Sequence, residues 1–219
     1  MNEDSHTEAT PATSREWDLW QADKKLLAII DGALFESSRL SGDWLACSPG
    51  CSDCCIGPFA ITPLDADRLR RGLMELALRD PDRAQKLRSR AMAVTAIMSE
   101  QFPGNLALGI LNDDNKAEDR FCDRFASLHC PSLDPGTGLC DLYLFRPLSC
   151  RMCGPPIQIG EYSLPPCHRC FVDAPEHEIE KCRVIPDPAG LEDMILGRLG
   201  KNGHLRGSTV VAFALATHL

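Results

Sequence analysis

Apolar residues recur at helical spacing along the first half of the chain. Trp20, Leu27, Ile30 and Leu34 fall on one face with Lys24, Lys25 and Asp31 on others, which predicts an amphipathic helix over about 16–39. Thr62-Pro63 supplies an N-cap and a first-turn proline, and Leu69, Leu73 and Leu76 then form the apolar stripe of a second helix. Asp80-Pro81 repeats the signal for a third, whose face is Leu87, Ala91, Val94 and Met98 and which stops before Pro103. Phe121, Phe125 and Leu128 predict a short helical turn, and 174–182 and 189–200 two further short helices. Between about 130 and 170 the pattern dissolves into Pro and Gly. Within that interval, 139–145 is apolar enough for a short strand or hairpin arm. The expected fold is mainly α: a small helical scaffold carrying a loop-rich, metal-ordered cysteine region, with little β-structure. Residues 1–15 are polar and small and read as a disordered lead, leaving 16–219 as one domain.

Composition narrows the class. The 219 residues are 44% hydrophobic and carry a formal charge of -8, so a buried core is feasible and no basic stripe offers itself to nucleic acid or anionic lipid. No apolar run reaches the roughly 20 residues that cross a bilayer, and 210–216 reads as a core segment. The amino terminus lacks a basic and then apolar leader, which points to the cytoplasm, where thiols stay reduced.

That compartment matters because the chain holds twelve cysteines. Cys47-x3-Cys51-x2-Cys54-Cys55 is followed by Cys130-x9-Cys140-x9-Cys150, then Cys153, Cys167-x2-Cys170 and Cys182. Reduced, closely spaced thiolates are soft ligands suited to zinc or iron-sulfur clusters rather than to calcium or magnesium. Ser48-Pro-Gly50 and Ser52-Asp53 are turn-formers that fold the first cluster inward. Adjacent Cys54 and Cys55 diverge in an extended segment, so two ions or a polynuclear cluster suit them better than one ion. Arg146 and Arg151 flank the second block and are candidates to offset its negative charge, with Tyr143 beside them. Asp134-Pro-Gly-Thr-Gly138 reads as a turn closing the interval from Cys130 to Cys140. Cys122 belongs to the Phe121 and Phe125 pattern and reads as a small core residue. Cys182 is evenly balanced between burial and a second four-thiol set with Cys153, Cys167 and Cys170. His129 and His168 each adjoin a cysteine, though a lone histidine is more often not a ligand.

Two blocks in this order, CSPGCSDCC at 47–55 and CPSLDPGTGLCDLYLFRPLSCR at 130–151, resemble the YkgJ-like cysteine-cluster proteins of CxxCxxCC type, a zinc- or iron-chelating family. The resemblance spans 47–170. It implies Cys47, Cys51, Cys54, Cys55, Cys130, Cys140, Cys150 and one of Cys167 and Cys170 as metal ligands, and it has an aromatic residue where this chain has Cys153. It extends to the metal-associated part of flagellin lysine N-methylases.

The leading expectation is thus a cytoplasmic cysteine-cluster metalloprotein binding an iron-sulfur cluster or zinc, in a redox, metal-handling or accessory role. Its expected partners are metal ions and a protein, with no nucleic acid and no membrane. The alternatives are a protein-modifying enzyme similar to a lysine N-methyltransferase, against which stands the lack of a Gly-rich cofactor loop after a strand, and a structural zinc module for protein contacts. Cys47-x3-Cys51-x2-Cys54 also has radical S-adenosylmethionine spacing, but Asp53 and the missing strand-helix alternation weigh against that class.

Overall fold

Thr62 and Asp65 start the central helix by a reciprocal capping box: the Thr62 hydroxyl accepts from the Asp65 N–H, and the Asp65 carboxylate accepts from the Thr62 N–H. This helix, α2 (Pro63–Arg79), follows a long first helix, α1 (Thr13–Ser41), and leads through the Asp80 cap into α3 (Pro81–Met98). The computed structural model describes residues 13–201 and 207–216. Most of the polar lead expected over 1–15 lies outside the described residues, and its last three positions already belong to α1. The remaining elements are short: β1 (Ala60–Ile61), β2 (Gly104–Asn105), β3 (Ile110–Leu111), α4 (Asn115–Arg124), α5 (Leu148–Arg151), β4 (Ile157–Ile159), β5 (Tyr162–Leu164), α6 (Glu176–Lys181), α7 (Leu191–Lys201), β6 (Thr209–Val210) and α8 (Val211–Ala216). The strands make antiparallel pairs, β1 with β6, β2 with β3 and β4 with β5. The fold is mainly α.

Leu69, Leu73 and Leu76 of α2 meet Ala84, Leu87 and Ala91 of α3, and Val211, Ala214 and Leu215 of α8 close the same core. Small residues on α3 and α8 let the three helices approach closely. Phe102, Phe121, Phe125 and Phe213 build an adjoining aromatic core, with Phe102 stacked on Phe213 at 4.2 Å. On the other side of α2, Leu26 and Ile30 of α1 pack with Leu64, Leu148, Ile195 and Leu199.

An ion network runs through the α1–α2 contact. Arg68 is 1% exposed and lies between Asp23 on α1 and Asp65 on its own helix. Its Nε donates to Asp23 at 2.7 Å, while Nη2, only 2.6 Å from the same oxygen, is poorly aligned for a hydrogen bond. Asp65 also accepts the Leu148 N–H at 3.0 Å, which ties the start of α5 to the start of α2.

Segment 139–145 forms no strand, and only its first residues, 139–141, pair back on 132–134 across the Asp134–Gly138 turn. It makes one bridge, Leu133 to Cys140, and then a 3-10 turn at Tyr143–Phe145. The reason is lateral anchoring. The Asp141 carboxylate is fully buried and takes Arg83 and Arg90 of α3 at 2.5 Å each, so side chains hold the segment where a ladder would otherwise be needed. Gly72 permits this approach, since a Cβ there would stand 2.5 Å from the Phe145 ring.

Candidate metal centre

The first cysteine loop begins where α1 ends. Pro49 and Gly50, the latter at φ +91°, turn the chain so that the Cys51 N–H reaches the Ser48 carbonyl at 3.0 Å. A 3-10 turn at Asp53–Cys55 follows, closed by Cys55 N–H to Ser52 at 2.8 Å. Local turn chemistry thus stacks four cysteines in nine residues, as the string of Ser, Pro, Gly and Asp dictates.

Long-range backbone bonds then bring the later cysteines to this loop at two separate places. At the first, Cys130 N–H donates to the Cys55 carbonyl at 2.8 Å and Gly57 N–H to Leu128 at 2.7 Å. Cys140 returns to the same place through its bridge with Leu133 and the Asp141 N–H to Ser132 bond at 2.7 Å. Cys150 arrives on α5. At the second place, Phe171 N–H donates to Trp44 at 2.7 Å and Cys167 N–H to Gly154 at 3.0 Å, while Cys170 N–H closes on Cys167 at 2.7 Å. Cys47 Sγ and Cys170 Sγ are 3.8 Å apart. Gly154, at φ +122°, leaves room for the Cys47 sulfur, which would stand only 3.0 Å from a Cβ there.

The thiols feel one another accordingly. Desolvation and then the charge of Cys170 push the Cys47 thiol up to about 12, with Cys167 and Cys51 adding to it. Cys54 is held down at about 3 by the neighbouring thiols of Cys153 and then Cys55, with the Arg146 charge helping. The two partners move the opposite way, as expected when three sulfurs share one negative charge. Burial first, then Cys130, Cys140 and Cys54, raises Cys150; burial raises Cys130, and takes Cys140 up to about 11. Raised thiols of this kind exchange their protons for a metal cation on chelation.

The expected ligand residues are therefore brought together in two neighbourhoods: Cys47 and Cys51 with Cys167 and Cys170, and Cys54 and Cys55 with Cys130, Cys140 and Cys150. Among the described residues no three Cys, His, Asp or Glu side chains already converge on one point, so gathering any set requires side-chain rotation. Cys153, where the family resemblance has an aromatic residue, lies between the neighbourhoods, with Cys54, Cys150 and Cys167 around it. Cys122 packs against the aromatic core. Cys182 is 1% exposed and shares a small buried cluster with Cys170 and Phe171, against which Cys167 and Ile179 pack, its carbonyl taking the Ser37 hydroxyl.

The two flanking arginines differ. Arg146 stacks on Tyr143 at 3.9 Å and its charge bears on Cys54 and Cys140. Arg151 turns away from the sulfurs, paired with Asp31 of α1 at 2.8 Å and donating to the Leu144 and Arg146 carbonyls. Sequence reasoning missed Asp53 and Arg169. The Asp53 carboxylate takes Arg169 at 3.2 Å and stands 3.5 Å from His168 Nε2, while His168 Nδ1 is 3.9 Å from Cys167 Sγ. Asp53 lies in a turn string and looked like a turn-former; nothing in linear spacing joins it to a residue more than a hundred positions on. His129 pairs through its backbone with Ile56.

The donor set suits a thiophilic ion. Two thiolates on a tetrahedral ion 2.3 Å from each sulfur stand roughly 3.8 Å apart, the spacing of Cys47 and Cys170. No helix of the described residues is long and apolar enough to cross a membrane. No curated protein and no solved structure matches the chain significantly. A family does: the one described as "CxxCxxCC: Putative zinc- or iron-chelating domain" matches residues 46–170, more than half of the chain, and it is to this family that the protein belongs.

Proposed function

We propose that the protein is a metalloprotein of a reducing compartment such as the cytoplasm, holding zinc or an iron-sulfur cluster through its clustered thiolates, in a redox, metal-handling or accessory role. The observation that supports it most is the delivery of cysteines from two distant segments to one loop by backbone hydrogen bonds, Cys130 to Cys55 and Phe171 to Trp44. Cys47, Cys51, Cys54, Cys55, Cys130, Cys140, Cys150, Cys167 and Cys170 are the ligand candidates. Bound metal would supply Lewis acidity, electron transfer or structural cross-linking, according to its identity. The chain's own contribution is to shield the sulfurs of Cys130 and Cys150 and to set Arg146 against the negative charge. The test is anaerobic purification followed by zinc, iron and sulfide analysis. At least one tightly held metal per chain is expected. A metal-free, fully folded protein whose thiols titrate freely would overturn the reading.

A further inference from the structure

We infer that the thiolates form two separate centres, and that Cys47, Cys51, Cys167 and Cys170 make a mononuclear tetrathiolate site for a zinc-class divalent ion, independent of the metal held around Cys54, Cys55, Cys130, Cys140 and Cys150. This rests on the metalloprotein reading above and adds to it the number of sites and the membership of each.

Geometry carries the division. Two backbone pins deliver the later cysteines, and they lie on opposite ends of the first loop: Phe171 to Trp44 ahead of Cys47, and Cys130 to Cys55 behind it. The Ser52-Asp53 turn separates Cys51 from Cys54. Cys47 has the sulfurs of Cys170, Cys167 and Cys51 near it, whereas Cys150 has those of Cys130, Cys140 and Cys54. These two neighbour sets share no residue. Cys153 lies near members of both, Cys54 and Cys150 on one side and Cys167 on the other, which marks the boundary. The 3.8 Å separation of Cys47 and Cys170 equals the edge length of a tetrathiolate tetrahedron, and the arms Cys47-x3-Cys51 and Cys167-x2-Cys170 each hold a further sulfur, Cys51 and Cys167, that side-chain rotation would bring in.

Each set also has its own cation. The Arg169 guanidinium, between the two cysteines of the second arm, faces Cys51 and Cys167 and is clamped by Asp53, two residues beyond the end of the first arm. Arg146 plays the same part towards Cys54 and Cys140. A divalent ion entering the first set displaces its remaining thiol protons to solvent and leaves a tetrathiolate centre of charge -2, which Arg169 partly offsets. Asp53 braces the two arms against each other by holding Arg169 and adjoining His168. It is thus a positioning residue, and Arg169 a charge-balancing one.

The experiment is elemental analysis of anaerobically purified full-length protein, with zinc release to a chromophoric chelator followed in time. Cys170→Ser should lose one zinc equivalent and keep the rest, while Cys150→Ser should lose the complementary metal and keep that zinc. Because a cysteine variant can unfold, Arg169→Ala, at an exposed position, is the second arm. It should speed release of the single zinc about 10-fold and leave the remaining metal unchanged. Loss of all metal in both cysteine variants, or an Arg169→Ala effect shared by every bound ion or absent from all of them, overturns the two-centre inference and leaves the metalloprotein reading standing. A metal-free wild type overturns both.

Discussion

Cys54 and Cys122 show how differently one residue type is used. Cys54 sits on the open surface among thiols that hold it as thiolate, whereas Cys122 packs on Phe121 and Phe125, where burial and then Glu118 raise its thiol. Cys54→Ser or Cys150→Ser should lower metal content, because oxygen is a poor match for a soft ion. Cys122→Ser should leave metal stoichiometry intact and cost about 1 kcal/mol of stability, measured by denaturant unfolding. Glu192 gives a pH signature. Desolvation and then Asp65 raise its carboxyl from 4.5 to about 7, with Arg68 and Thr62 only partly offsetting them. The neutral form therefore suits the fold: its contribution is fully present below pH 4.5 and is lost as pH rises through about 7. Stability of the wild type relative to Glu192→Gln should fall across that window, and a flat difference between pH 4.5 and 8 would contradict the assignment. The cysteines themselves were plain in the sequence because spacing within a turn is local. Asp53 and Arg169 were not, since they stand 116 positions apart and their pairing depends on how everything between them folds.

The helices were legible for the same reason of locality. The Thr62 and Asp80 caps with their following prolines, and the leucine stripe at 69, 73 and 76, define α2 and α3 without help from the rest of the chain. Segment 139–145 defeated the reading because its shape is imposed from α3 by Arg83 and Arg90 on Asp141. Periodicity carries no trace of such an anchor. The close approach of this segment to α2 gives a test of how helix and cysteine loop communicate. Gly72→Ala should drive Phe145 outward, costing about 1–3 kcal/mol and reducing metal retention at Cys140 and Cys150, read by thermal unfolding and by metal analysis. The loops at 45–60 and 130–170 hold their shape through few strand or helix bonds, so chelation of the metal should raise their hydrogen exchange first while α2 and α3 stay protected. Unchanged protection in those loops would separate metal from folding.

Across the whole molecule, α1 is the element that ties scaffold to cysteine region, through Asp23 to Arg68 and Asp31 to Arg151. Arg68→Met should leave Asp23 and Asp65 facing each other in a buried place and cost about 3–5 kcal/mol in denaturant unfolding. The fold class followed from the periodic segments, but the arrangement of helices did not, because the core between α2 and α3 is completed by α8 and by the β1–β6 pairing. That last feature orders events during synthesis. The ribosome adds about 5–20 residues per second, so on the order of ten seconds separate the emergence of α3 from that of α8. During that interval the leucine face of the α2–α3 hairpin is bare, while the cysteines from Cys122 to Cys182 are being added. All twelve cysteines thus leave the ribosome ahead of α8, and the loops that carry them are complete before the helical core behind them can close.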